Sequence, residues 1–317
     1  MKLRTLAVAA ALTGLAAGLA ACGDDAGTTA QPANAAGARL AVVATTTQVA
    51  DFARNIGGDR VAVTQLIKPN IDPHDYEPTP ADLTAIGAAK VLVKNGVGLE
   101  GWLDATISSA GFKGTTVDAS TGVKIRQGEG DEADEADHGD PHIWHDPRNA
   151  KLMVQTIEKA FSAAAPADAA TFAEHLADYS AKLDQLDADI AAKIGKLPAG
   201  DRKLVTNHDA FGYYIDRYQL QFVGSIIPSF DTSAELSAKD VDDIVAKIKQ
   251  SGTKAVFSES SLPPKTAEAI ARQAGVRVVA GEDALYGDTL GPEGSAGDTY
   301  LKMEAHNTDT IVKALGG

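Results

Sequence analysis

The chain has 317 residues, of which 44% are hydrophobic and 23% charged. That composition is ordinary for a globular protein, and the length points to two lobes of about 100–150 residues each rather than one core. A formal net charge of -14 excludes nucleic acid and anionic membrane surfaces as natural partners and is compatible with cations.

The N-terminus reads as an export signal. Lys2 and Arg4 precede an apolar, small-residue stretch over 6–21, too short and too weakly flanked for an ordinary transmembrane anchor. It closes on Leu19-Ala20-Ala21-Cys22, which resembles the box where a bacterial lipoprotein signal is cut and the new N-terminal cysteine lipidated. Cys22 is the only cysteine in the chain, and a free exported thiol is otherwise hard to explain. Cys22 is therefore the expected lipid anchor, and 22–38, rich in Ala, Gly, Thr and Pro, reads as a flexible tether.

Ordered structure is expected from residue 39. Short apolar runs at 40–44, 61–67, 91–93 and 115–118 read as strands. Between them lie helical patterns from Thr45-Thr46-Thr47 to about Ile56, over 81–88 and over 100–109. Strands alternating with helices predict a parallel sheet, here an N-terminal lobe over 39–148. The loop over 70–80 holds His74 in a backbone stiffened by Pro73, Pro78 and Pro80. Residues 128–140 carry seven acids and His138; such like-charge runs repel and stay solvated, so this one reads as a surface loop able to collect cations weakly.

The stretch 149–198 reads as a linker region. Its main feature is one long helix over 168–196, with Phe172, Leu176, Tyr179, Leu183, Leu186 and Ile190 at three- and four-residue spacing. The α/β pattern then returns in a C-terminal lobe over 199–317. Strands are expected at 203–206, 221–224, 255–257 and 276–279. Helices are expected from Asn207-His208-Asp209 through Tyr218, and at 237–250, 263–274 and 299–315. The fold class is thus α/β, with two similar lobes of parallel sheets flanked by helices, joined by a rigid helix.

The chemistry concentrates in Asp140-Pro141-His142-Ile143-Trp144-His145-Asp146-Pro147. Two imidazoles three residues apart, flanked by carboxylates and held between prolines, present neutral nitrogen donors in a stiff segment, which suits a transition-metal site. Lone histidines more often cap turns. Here there are only seven in the chain, and His74 and His208 also follow predicted strands.

Four motifs in order resemble a known family: Pro73-His74-Asp75-Tyr76-Glu77-Pro78-Thr79-Pro80, Asp140-Pro141-His142-Ile143-Trp144, Asn207-His208-Asp209-Ala210-Phe211-Gly212-Tyr213-Tyr214 and Gly287-Asp288-Thr289-Leu290. Together they are similar to the zinc/manganese solute-binding lipoproteins of bacterial ABC importers, the cluster A-I proteins, from about residue 39 to the C-terminus. The resemblance implies two α/β lobes joined by one long helix with the metal in the cleft. It implies His74 and His142 as ligands from the first lobe and His208 and Asp288 from the second. It also implies an ABC permease as partner, with a metallochaperone as a further candidate. The chain departs from the family pattern at His145, where many relatives carry a non-ligand residue, and in the acidic loop, which zinc-type relatives often make histidine-rich.

Three neutral imidazoles and one carboxylate suit Zn2+, with Mn2+ as the alternative because bidentate Asp288 could raise the coordination number. His145 and His138 are possible auxiliary groups, and Glu259 and Asp209 are expected to orient ligands. His175 and His306 fall in helical patterns and read as packing or surface residues. The expected function is capture of extracytoplasmic zinc for an importer. The competing classes are a secreted zinc hydrolase, which would use three ligands, an open water position and often a helical His-Glu-x-x-His, absent from this sequence, and an adhesin or metal store.

Overall fold

A computed structural model describes residues 39–128 and 138–316. The expected signal peptide, Cys22, the tether and the acidic stretch 129–137 lie outside the described residues.

The first half alternates β1 (Leu40–Ala44), α1 (Thr47–Gly57), β2 (Val61–Gln65), α2 (Pro80–Ala88), β3 (Val91–Lys94), α3 (Leu103–Ala110) and β4 (Thr115–Asp118). All pairings are parallel, in the order β2-β1-β3-β4. Helix starts follow local chemistry. The Thr46 hydroxyl accepts the Val49 N–H and caps α1, which places Thr45 and Thr46 before the helix rather than in it. Thr79 and Asp82 form a reciprocal capping box with Pro80 in the first turn of α2, where its missing N–H costs nothing.

Helix α4 (Pro147–Ala164) begins at the Asp146 cap and packs on α1, β3 and β4. A 3-10 turn, Pro166–Asp168, then leads into α5 (Ala169–Gly195). At about 1.5 Å per residue this 27-residue helix is about 40 Å long. It touches α1 and α4 from the first half, and α6 (Gly212–Tyr218) and α9 (Tyr300–Leu315) from the second. Its buried face is Phe172, Tyr179, Leu183, Leu186, Ile190 and Ile194.

The second half contains two parallel pairs. One joins β5 (Lys203–His208) to β6 (Gln221–Ile227), and the other joins β7 (Ala255–Phe257) to β8 (Arg277–Val279), with β5 beside β7. Helices α7 (Ala238–Ser251) and α8 (Lys265–Ala274) cover them. The expected helix start at Asn207-His208-Asp209 is corrected here. Strand β5 runs on through His208, which pairs with Ile227, and the Asp209 N–H donates to the Ser229 carbonyl at 3.1 Å, so α6 begins only at Gly212. The longer partner strand decides the matter, because β6 offers ladder bonds that a three-residue polar start cannot replace.

One continuous apolar cluster runs from Val42 and Phe52 through Trp144, Phe161 and Phe172 to Leu204, Phe211, Tyr300 and Leu315. Smaller clusters lie under α7 and α8 and under α2 and α3.

Candidate metal centre

His74, His142, His208 and Asp288 come together although 214 positions separate the first from the last; one donor atom from each lies within 4.8 Å of all the others. His142 Nε2 is 3.2 Å from His208 Nε2, and each is 3.3 Å from Asp288 Oδ1. A tetrahedron with arms of about 2.0–2.2 Å has edges of about 3.3–3.6 Å, so these three separations fit one zinc-sized ion. His74 Nε2 stands farther out, 4.0 Å from Asp288 Oδ2. His142, His208 and Asp288 are fully buried, whereas His74 is only partly so and reaches a cavity of about 300 Å³ that it lines with His138, Phe230 and Asp231.

Each donor is aimed by its surroundings. His142 follows a stiff Asp140-Pro141 step; Asp140 Oδ1 accepts the His142 N–H at 2.9 Å and lies 2.8 Å from its Nδ1, turning Nε2 toward the cluster. His208 ends β5, and Glu259 Oε1 accepts its N–H at 3.1 Å and faces its Nδ1 at 3.0 Å. Glu259 sits just beyond β7, where it bridges to Leu285. His74 is steadied by its N–H, which donates to Asp72 Oδ1 at 2.9 Å, and Asp72 Oδ2 accepts the Thr232 hydroxyl at 2.6 Å from the other half of the chain. Asp288 lies between β8 and α9, and its own carbonyl accepts the Gln48 amide at 2.8 Å.

Electrostatics follow from burial and proximity. Burial lowers the His74 pKa to about 4, against the pull of Asp288 and with the help of His142 and His208. Burial also works against charge on His142, but the hydrogen bonds to Asp140 and Asp288 outweigh it and raise that pKa to about 9. At His208 burial is likewise outweighed, by Asp288 and Glu259, and the pKa stands well above 6.5. Burial would raise Asp288, yet His208, His142 and His74 hold it well below the ordinary carboxylate range. Without an ion, the Asp288 carboxylate favours the protonated forms of His142 and His208, while burial keeps His74 neutral. An ion bound there would compete with those protons.

Of the other candidates, Glu259 touches His208. Asp209 is buried, with Oδ2 4.0 Å from an Arg126 nitrogen. His138 is exposed and lines the cavity that His74 reaches. Both ring nitrogens of His145 are engaged elsewhere, with Glu304 and the Gly287 carbonyl. His175 and His306 bond the Ile56 and Ala284 carbonyls. Sequence reasoning missed Asp140, Asp72, Gln48 and Glu304 as supports. Asp140, two residues before His142, was visible in the motif. Glu304 showed only as an acid on the buried stripe of α9, beside Tyr300, Met303, Asn307 and Ile311.

Carboxylates that orient ligating imidazoles typically set metal affinity within about 10–100-fold. Glu259→Gln keeps the shape and removes the charge facing His208, and zinc affinity should fall by that factor in competition with a chromophoric chelator. An unchanged affinity would mean that the carboxylate at Glu259 does not tune the site.

A two-lobed α/β fold that gathers three imidazoles and a carboxylate between its halves is the architecture of a metal-ion solute-binding protein. The chain belongs to the family described as zinc-uptake complex component A, periplasmic, whose model matches residues 42–314. It is 34% identical over 283 residues to the zinc-binding protein TroA of Treponema pallidum, covering 89% of this chain and 90% of that one. It is also 34% identical over 300 residues to the manganese-binding lipoprotein MntA of Bacillus subtilis, covering 94% and 95%. The solved structure of periplasmic TroA from Treponema pallidum matches with a TM-score of 0.81 at 32% identity, over 88% of this chain and all of that one.

Proposed function

We propose that this protein is the extracytoplasmic receptor of an ABC importer, carrying one divalent metal ion, preferentially Zn2+, as cargo on His74, His142, His208 and Asp288 and handing it to a membrane permease. The observation that carries this reading is the convergence of four donor atoms within 4.8 Å, with His142 and His208 each oriented by a carboxylate. Relatives at equal identity are named for zinc and for manganese, so the preference rests on donor chemistry. Imidazole nitrogen suits Zn2+, whereas Mn2+ is the harder ion, lower in the affinity order, and gains most from oxygen-rich sites. Four protein donors also favour holding an ion over hydrolysis, which needs an open position for water.

The deciding experiment strips the protein with chelator and reloads it from an equimolar zinc and manganese mixture. Zinc at one ion per chain is expected; manganese in its place would reverse the preference, and neither ion would remove the function.

Anchoring through Cys22 belongs to the same reading, since tethering near a permease raises effective concentration without new protein contacts. Cys22→Ser should move the protein from the membrane to the soluble fraction, and retention in the membrane would count against lipidation. A metallochaperone remains a candidate partner for loading.

A further inference from the structure

Beneath the metal cluster lies a second buried pair that ligation does not use. His145 and Glu304 are both fully buried. His145 Nδ1 is 2.8 Å from Glu304 Oε1, its Nε2 is 3.0 Å from the Gly287 carbonyl oxygen, and its ring stacks on Phe211 at 4.4 Å between centroids. A carbonyl oxygen only accepts, so Nε2 carries a hydrogen. A bare Nδ1 lone pair facing a carboxylate at 2.8 Å would repel it, so one further hydrogen lies between His145 and Glu304. Removing two such groups from water is expensive, and apolar side chains of similar volume are often as stable or more so. Fold stability is therefore a poor reason for the pair.

Its placement supplies a better one. Gly287, which His145 grips, directly precedes Asp288. The same carbonyl accepts the Trp144 indole N–H at 3.1 Å. A Cβ at Gly287 would stand 2.0 Å from Glu259 Oε2, so this residue is pressed against the acid that orients His208. Beyond it, the Asp288 carbonyl accepts from Gln48, the Thr289 hydroxyl accepts the Asn70 N–H at 3.0 Å, and the Leu290 N–H donates to Thr47 Oγ1 at 2.8 Å. Asp288 follows the last strand of the second half, yet its backbone is fixed from the first half on both sides.

We propose that His145, steadied by Glu304, is a positioning residue for Asp288. Together with Trp144 it clamps the Gly287 carbonyl, sets the reach of the Asp288 carboxylate to the short bonds of a four-coordinate ion, and so strengthens the preference for zinc over manganese. This rests on the metal site proposed above. A zinc–oxygen bond has to close to about 2.0–2.2 Å. Loosening the carboxylate's backbone therefore weakens zinc more than an ion that accepts additional oxygens and a looser arrangement.

The test compares zinc, manganese and cobalt(II) binding in the full protein. Replacing the pair together, His145→Leu with Glu304→Leu, leaves no orphaned buried charge. Its zinc affinity should fall about 10–100-fold, its manganese affinity less, and the visible absorption of the cobalt(II) form should change, while the metal-free protein still unfolds cooperatively. His145→Gln combined with Glu304→Leu keeps an N–H for the Gly287 carbonyl without leaving a buried carboxylate unpaired, and should recover most of the zinc affinity. Trp144→Phe, which removes only the other donor to that carbonyl, should shift the cobalt(II) spectrum by less and gives the same readout if the leucine pair does not fold. Unchanged zinc-to-manganese ratio and cobalt(II) spectrum in these variants would overturn the positioning role. Wild-type protein that fails to retain zinc would instead sink the site itself, whatever the variants do.

Discussion

Asp288→Ala is expected to lose its zinc on gel filtration, where the unaltered protein keeps one ion per chain. The carboxylate is the one anionic donor among three imidazoles, and its Oδ1 stands 3.3 Å from both His142 and His208. Four-ligand structural zinc sites bind with about 10–16 kcal/mol at neutral pH. An even share per ligand is about 2.5–4 kcal/mol, a loss of about 60–700-fold in affinity. The substitution also removes the charge that holds the imidazoles in their protonated form before loading, which returns a little of the loss by easing proton competition. A tight one-to-one complex in Asp288→Ala would mean that the ion sits elsewhere.

Zinc loading should also release protons, and affinity should climb steeply with pH. An isolated imidazole would place the change near 6.5. Here His142 is raised to about 9 and His208 stands well above 6.5, whereas His74, lowered to about 4, and Asp288, held low, have no proton to give at pH 7. About two protons should therefore leave per ion bound at pH 7, and affinity should fall about 100-fold for each unit by which pH drops while both remain protonated. For the metal-free fold the sign is opposite. The raised imidazole pKa values stabilise it fully below about 6.5, and that contribution is lost as pH rises through about 9 for His142. Calorimetry in two buffers of different ionisation enthalpy counts the protons; a count near zero at pH 7 would show that both imidazoles are neutral before the ion arrives.

Much of this was legible in the residues. The β1–β4 runs and the length of α5 carry local signals that the structure follows closely. Where reading failed, a distant partner decided. His208 looked like a helix start because Asn207 and Asp209 are capping types, and only the pairing with Ile227 on β6 makes it the end of a strand. The four clustered residues were named by motif resemblance, since nothing in their spacing along the chain fixes distances in space. Glu304 illustrates the remaining difficulty. One turn of an ordinary amphipathic helix gave no hint that its carboxylate meets His145, 159 positions away.

The unbroken apolar cluster from Val42 to Leu315 bears on how freely such a molecule can be recombined. Helix α5 buries one stripe against both halves at once, so cutting the chain near residue 198 would strip Tyr179, Leu183, Leu186, Ile190 and Ile194 of neighbours on one side and leave α9 without its bed. Apolar surface returned to water costs about 25 cal/mol per Å², so each fragment would be less stable than the whole. Swapping halves between relatives with different cargo is therefore a poor route to altered selectivity. The interchangeable parts are smaller: the loops carrying His74, His142 and Asp288 and the end of β5, set into a scaffold whose largest apolar cluster spans both halves.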